Sequence, residues 1–215
     1  MKTTLLRRCL PGVLAPAALL LLAGCSVFSS QQRDPVTLYA PLIKVAPDPS
    51  WPKVSWQLTV VKPTAARVVD SARIAVRPSP GEMQVYRGVG WSQPPGDLVE
   101  ATVLRALEDS GKLGSVARPA IGIRADYRLA MDLRRFDSDY AGSSLPSAVI
   151  ELNAKLIRTT DQRVVAARTF LSTEPAGATD VPSVVAAFER GLESMIAELA
   201  GWTLASGEAD ARRTR

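Results

Sequence analysis

Past residue 35 the chain alternates apolar and polar residues in short runs, and twice it changes to the 3.6-residue spacing of a helix. Residues 37–43 and 56–61 read as strands, the second ended by Pro63. Residues 72–77 and 83–89 read as a strand pair joined across Pro78-Ser79-Pro80-Gly81, a turn signal. The period then changes. Leu98, Ala101, Val103, Leu104 and Leu107 trace a helical stripe. Gly96-Asp97 offers an N-cap, Glu100 completes an arrangement like a capping box, and Gly111 stands where a C′ residue belongs.

The second half repeats the order, strands first and a helix last. Tyr127, Leu129, Met131 and Leu133 line one face of a strand against Asp126, Arg128 and Asp132, and Arg134-Arg135-Phe136 breaks the alternation as a bulge or strand end would. In residues 148–158, Ile150, Leu152, Ala154 and Leu156 oppose Glu151, Asn153 and Lys155. Residues 159–162 turn the chain into residues 163–172, which predicts a hairpin. Asp180 is placed as an N-cap for a long stripe through Val181, Val184, Val185, Phe188, Leu192, Met195, Ile196 and Leu199. Strands that are apolar on one side need cover on that side alone. The expected architecture is therefore α/β of the α+β type, an antiparallel-dominated sheet with two helices packed on one face. Residues 36–204 are expected to form one domain, and residues 205–215, with Arg212, Arg213 and Arg215, a disordered basic tail.

The first 35 residues obey a different pattern. Lys2, Arg7 and Arg8 precede an apolar stretch over residues 13–22, about the length of a signal-peptide core and too short to span a bilayer. Leu22-Ala23-Gly24-Cys25 closes it and looks like a bacterial lipoprotein signal, with cleavage between Gly24 and Cys25 and acyl chains on Cys25. An ordinary secretory signal or an anchor helix is the alternative. Residues 1–24 are thus expected to be removed, and residues 25–35 to tether the domain to its lipid. Three acyl chains exceed the two signals that stable anchoring needs. Ser26 stands where enterobacterial lipoproteins that stay in the inner membrane carry aspartate, which points to the periplasmic face of the outer membrane.

Cleavage also changes the composition. Of the two cysteines, Cys9 leaves with the signal and Cys25 is consumed by lipid, so no thiol remains for a disulfide, a nucleophile or a metal. The chain has no histidine, which removes Ser-His-Asp and Cys-His catalysis and nearly every zinc site. No cofactor is implied. The formal charge of +5 falls to about +2 once three signal-peptide cations are lost, so the high pI is no sign of nucleic-acid binding. A hydrolase using paired carboxylates remains the rival from another class, since it needs no histidine. Asp70-Ser71 reads as a strand-entry turn, and Asp137 and Asp139 as solvated loop charges.

Two stretches stand out as candidate partner contacts. Tyr86, Trp91, Pro94 and Pro95 place aromatics beside Gly88, Gly90 and a proline loop, although Trp91 better suits a plug at the sheet end beneath the first helix. Glu151, Asn153 and Lys155 form the polar side of a strand whose other side is apolar.

The ordered set Trp56-Gln57-Leu58-Thr59-Val60, Asp70-Ser71-Ala72-Arg73-Ile74-Ala75-Val76, Tyr86, Trp91, Pro94-Pro95, Ser110-Gly111-Lys112-Leu113, Ala125-Asp126-Tyr127-Arg128-Leu129 and Phe136 resembles one family when read with the lipobox. It is that of the ABC-type transport auxiliary lipoproteins, the PqiC-like outer-membrane lipoproteins. The resemblance implies a non-enzymatic docking component of an MCE-associated lipid transport system, with an MCE-domain protein as partner and a ring-forming homo-oligomer as its assembly. An accessory lipoprotein of another envelope machine, for lipopolysaccharide or outer-membrane protein insertion, would share the anchor and the α/β build.

Overall fold

Three long strands carry the structure, each of a dozen residues or so with no glycine or proline in its interior. In the computed structural model, which describes residues 36–119 and 124–214, β8 (Tyr127–Asp139), β9 (Ser147–Arg158) and β10 (Val164–Pro175) form a continuous antiparallel ladder. Of the two readings of Arg134-Arg135-Phe136, a bulge and a strand end, the structure has the bulge: the register shifts between Leu133 and Arg135 and the strand continues to Asp139. One extra residue reverses the alternation, so Leu133 and then Phe136 both turn toward the core, opposite Leu152 and Ile150. The hairpin turn of residues 159–162 holds Gln162 at a positive φ of 57°.

The other edge of β8 is shared in series by short strands. β2 (Gln57–Val60) pairs with it at Tyr127–Leu129, β3 (Thr64–Ala65) at Asp132 and Leu133, and β4 (Ala75–Arg77) at Ser138 and Asp139, all parallel. β5 (Gln84–Val85) returns antiparallel on β4 across the predicted proline turn. β7 (Ser115–Ala117) lies parallel on β2. Parallel neighbours need a crossover, and α1 (Pro95–Asp109) lies between β2 and β7 in sequence to supply it. The eight-stranded sheet is therefore mixed: its long ladders are antiparallel, as expected, and its short pairings are mostly parallel. β1 (Thr37–Tyr39) and β6 (Val89–Trp91) form a separate parallel pair.

One hydrophobic cluster joins both helices to one sheet face. Leu129, Leu152 and Leu156 from the sheet meet Val99, Val103 and Leu107 of α1, and Phe188, Leu192 and Ile196 of α2 (Val181–Thr214). Phe136 stacks on Phe188 at 4.6 Å, and Trp91 meets both rings edge-on at 5.6 and 5.3 Å.

The helix ends divide between expectation and correction. Asp180 caps α2 as predicted, its carboxylate accepting from the Ser183 N–H and hydroxyl at 2.9 and 3.0 Å. Those bonds hold its carboxyl below the usual range. Gly111, at φ 59°, follows α1 as predicted. The α1 N-terminus differs: the cap position is Pro94, Pro95 starts the helix, and Asp97 lies inside it. Pro95 has no N–H to satisfy, and the free Gly96 N–H donates to Asp70 Oδ1 at 2.9 Å, so the capping carboxylate arrives from 26 residues away.

The expected disordered tail is also corrected. α2 runs on through Thr214, because Asp210 is drawn into the sheet. Arg158 grips its carboxylate at 2.6 and 3.0 Å and the Tyr127 hydroxyl donates at 2.9 Å. Arg158 holds the Asp210 carboxyl below its usual range against burial, and Tyr127 is pushed up to about 12 by burial and then by the Asp210 charge. At about 1.5 Å per residue, the 34 residues of α2 extend about 50 Å, enough to follow strands of 12 residues from end to end. The lipobox residues Gly24, Cys25 and Ser26, and the tether that follows them, lie outside the described residues.

Candidate interaction surface

With both helices on one side, the other face of β8–β10 stays open, and its side chains sit in fixed registers. Lys155 lies opposite Ala130 and Ala167, Asn153 opposite Asp132 and Thr169, and Glu151 opposite Arg135 and Leu171. The three β9 residues chosen from sequence thus do share one exposed face. Asn153 donates to the Thr169 hydroxyl at 2.9 Å. Arg134, the bulged residue, bridges Asp132 at 3.2 Å and Glu151 at 3.3 Å. Leu171 stands 66% exposed beside them, a large apolar side chain that the alternation puts in water.

A groove of about 320 Å³ crosses this face, lined among others by Val61, Lys62, Ala130, Asp132, Asn153 and Lys155. Lys62 was not singled out from sequence. It belongs here because the parallel pairing of β3 on β8 lays the β2–β3 link over the face, and periodicity carries no trace of that pairing. Lys62 is tied to Asp97 at 2.7 Å and Arg134 to two carboxylates, so the groove holds alternating, largely compensated charge with apolar walls. Such a surface suits the backbone and mixed side chains of a polypeptide better than a discrete anion. Asp132, on the groove wall, and Glu151 beside it share Arg134 as their ion-pair partner.

The second candidate stretch is corrected. Trp91 is 2% exposed and packed between Phe136 and Phe188, so it plugs the core and offers nothing to a partner. Pro95 is buried as the first residue of α1, and Pro94 is half-buried at its cap. Tyr86 is half-buried with its hydroxyl 3.2 Å from Ser138 Oγ, and burial raises its pKa. These residues build the joint between β6 and α1.

Asp137 and Asp139 are not solvated loop charges either. They lie in β8, where Arg135 reaches them at 2.8 and 2.7 Å, Arg77 lies 3.4 Å from Asp137, and Asp137 is 2% exposed. Burial would raise Asp139, but Arg135 and the Ala141 N–H outweigh it and hold the carboxyl below its usual range. Asp70-Ser71 does occupy a turn, and adds the helix cap already described.

The fold and this surface define an α/β domain whose sheet carries both helices on one face and leaves the other open among the described residues. The family described as "ABC-type transport auxiliary lipoprotein component" matches residues 37–200, and the chain belongs to that family. The crystal structure of protein XCC0632 from Xanthomonas campestris is 57% identical, with a TM-score of 0.78 over 82% of this chain and 99% of that one. A second crystal structure, of a protein described as uncharacterized, shares the fold at 14% identity and a TM-score of 0.61, over 77% and 97% of the two chains. A Bradyrhizobium diazoefficiens protein, also described as uncharacterized, is 26% identical over 156 residues, or 73% of this chain. The chain spans 41% of that relative's length.

Proposed function

We propose that this protein is a non-enzymatic docking component of an ABC-type, MCE-associated intermembrane lipid transport system. It is anchored by acylated Cys25 at the periplasmic face of the outer membrane, as Ser26 suggests, and assembles as a closed homo-oligomer around the end of an MCE-domain protein. The observation that carries the reading is the free sheet face: a fold that buries one side of three long strands presents the other as a rigid, registered surface. Membership of a transport auxiliary lipoprotein family supports it, as does a mature sequence without histidine or free thiol. Symmetric rings are how one small domain encircles a tubular partner.

The test is capture of the MCE-domain protein encoded nearby by the detergent-solubilised mature lipoprotein, with native mass spectrometry of the complex. Lys155→Glu and Leu171→Asp, both on exposed positions, should each weaken capture by about tenfold or more if this face is the contact. A monomer that ignores the MCE protein, or one that turns over a cell-wall or lipid substrate, would overturn the reading.

A further inference from the structure

The first described residues break the rule that a strand facing water is polar on its outer side. Three of the eight large apolar side chains left exposed among the described residues, Val36 (60%), Leu38 (62%) and Leu42 (82%), fall within seven residues of one another. Tyr39, between them, and Ile43, just after them, turn inward onto the core. The segment is therefore apolar on both sides, although among the described residues only one side has protein to cover it. Its backbone is held in place: β1 pairs with β6, the Thr37 N–H donates to the Gly88 carbonyl at 2.9 Å, and Leu38 packs over Gly90.

Two cations border this apolar strip. Arg87 precedes Gly88, and Arg73 follows Ala72, whose carbonyl accepts the Trp91 N–H at 2.6 Å. Both are exposed, and neither makes an ion pair among the described residues. The carboxylate that touches the strip is Glu189, which accepts from the Leu42 N–H at 3.1 Å and marks its far end.

We infer that Val36 and Leu38, flanked by Arg73 and Arg87, form a membrane-apposed face that rests on the lipid surface to which the chain is anchored. The inference depends on the lipid-anchor reading of Cys25. Ten residues separate Cys25 from Val36, so this strip starts no more than about 40 Å of chain from the acyl groups. Apolar side chains enter the boundary between headgroups and acyl chains, while guanidinium groups beside them meet lipid phosphates. A face seated this way fixes the orientation of the domain on its tether, so the open β8–β10 surface is presented in a constant direction to whatever crosses the periplasm.

The absence of other thiols in the mature chain makes the test clean. Leu38→Cys and, as control, Leu171→Cys are expressed as full lipoproteins, labelled with an environment-sensitive fluorophore, and reconstituted into vesicles of phosphatidylethanolamine and phosphatidylglycerol. Both positions are exposed, and unchanged circular dichroism confirms that the variants fold. The label at position 38 should shift to the blue and lose most of its emission to lipids spin-labelled near the headgroup, while that at position 171 keeps its aqueous spectrum. Arg73→Glu with Arg87→Glu should reverse the shift at position 38. A protein that reaches the vesicles with both labels in water overturns this inference and leaves the anchor intact. A label at position 38 shielded only on adding the MCE-domain protein overturns it in favour of a protein partner. A protein that never reaches the vesicles overturns the anchor itself.

Discussion

Gly207 illustrates how one residue in a long helix reports on its neighbour. A Cβ placed there would lie 2.5 Å from Trp56 Cζ2, and one at Gly201 would lie 2.7 Å from Trp51 Nε1. Helix propensity alone favours alanine over glycine by about 1 kcal/mol. The buried Trp56 ring, already edge-on to Tyr127 at 5.0 Å, cannot retreat, so Gly207→Ala should instead destabilise by about 1–3 kcal/mol. Thermal or urea melting decides between the two signs. At the other end of the chain, Cys25→Ser should abolish acylation and release an uncleaved or soluble periplasmic protein. Mass spectrometry of the mature N-terminus and membrane fractionation read the outcome directly.

At the scale of elements, an ion pair holds the last turns of α2 to the sheet. Asp210 is 5% exposed and bound by Arg158 and Tyr127, so its carboxyl titrates below the ordinary aspartate range. A carboxyl depressed by folding contributes stability above its unfolded pKa, near 4, and that contribution is lost as the pH falls through the lower folded value. Asp210→Asn should therefore lower Tm at neutral pH, by the equivalent of about 2 kcal/mol. That is below the ~3–5 kcal/mol of a fully buried pair, because Arg158 keeps Asp161 as a partner at 3.1 Å. The same variant should lose less stability than the natural protein between pH 5 and pH 3. Equal acid slopes for the two would show that Asp210 is not the group being titrated. Fraying of residues 205–214 in the variant, read by hydrogen exchange, would locate the loss in the last turns of α2.

For the whole molecule, the division of labour follows from one-sided strands. Two helices cover one face of the sheet, and among the described residues no helix covers the other, so the protein has a surface to offer without having to unfold anything. Its charges are largely compensated, which argues for recognition by shape and register more than by long-range attraction. Salt should accordingly change the affinity of the docked complex only modestly, whereas Leu171→Asp should disrupt it at any ionic strength. A steep loss of binding with added salt would instead assign the contact to a basic patch such as the Arg73 and Arg87 border.

The elements were written in the sequence because they depend on local pattern: alternation marked β8 and β9, a turn marked the hairpin into β10, the 3.6-residue stripe marked both helices, and Asp180 and Gly111 marked ends whose capping is local in sequence. The bulge was legible for the same reason, since an inserted residue breaks a pattern that can be counted. The polar side of β9 followed from that alternation too. What tertiary structure alone decided involves groups distant along the chain. Asp70 caps a helix 26 residues away, Asp210 turns a tail of charged residues into ordered helix, Arg77 and Arg135 bury Asp137, and β3 brings Lys62 to the groove. A charged or small residue has the same local appearance whether it faces water or a partner across the fold. Its role is settled by which strands become neighbours, and that choice is made by burial of the whole core.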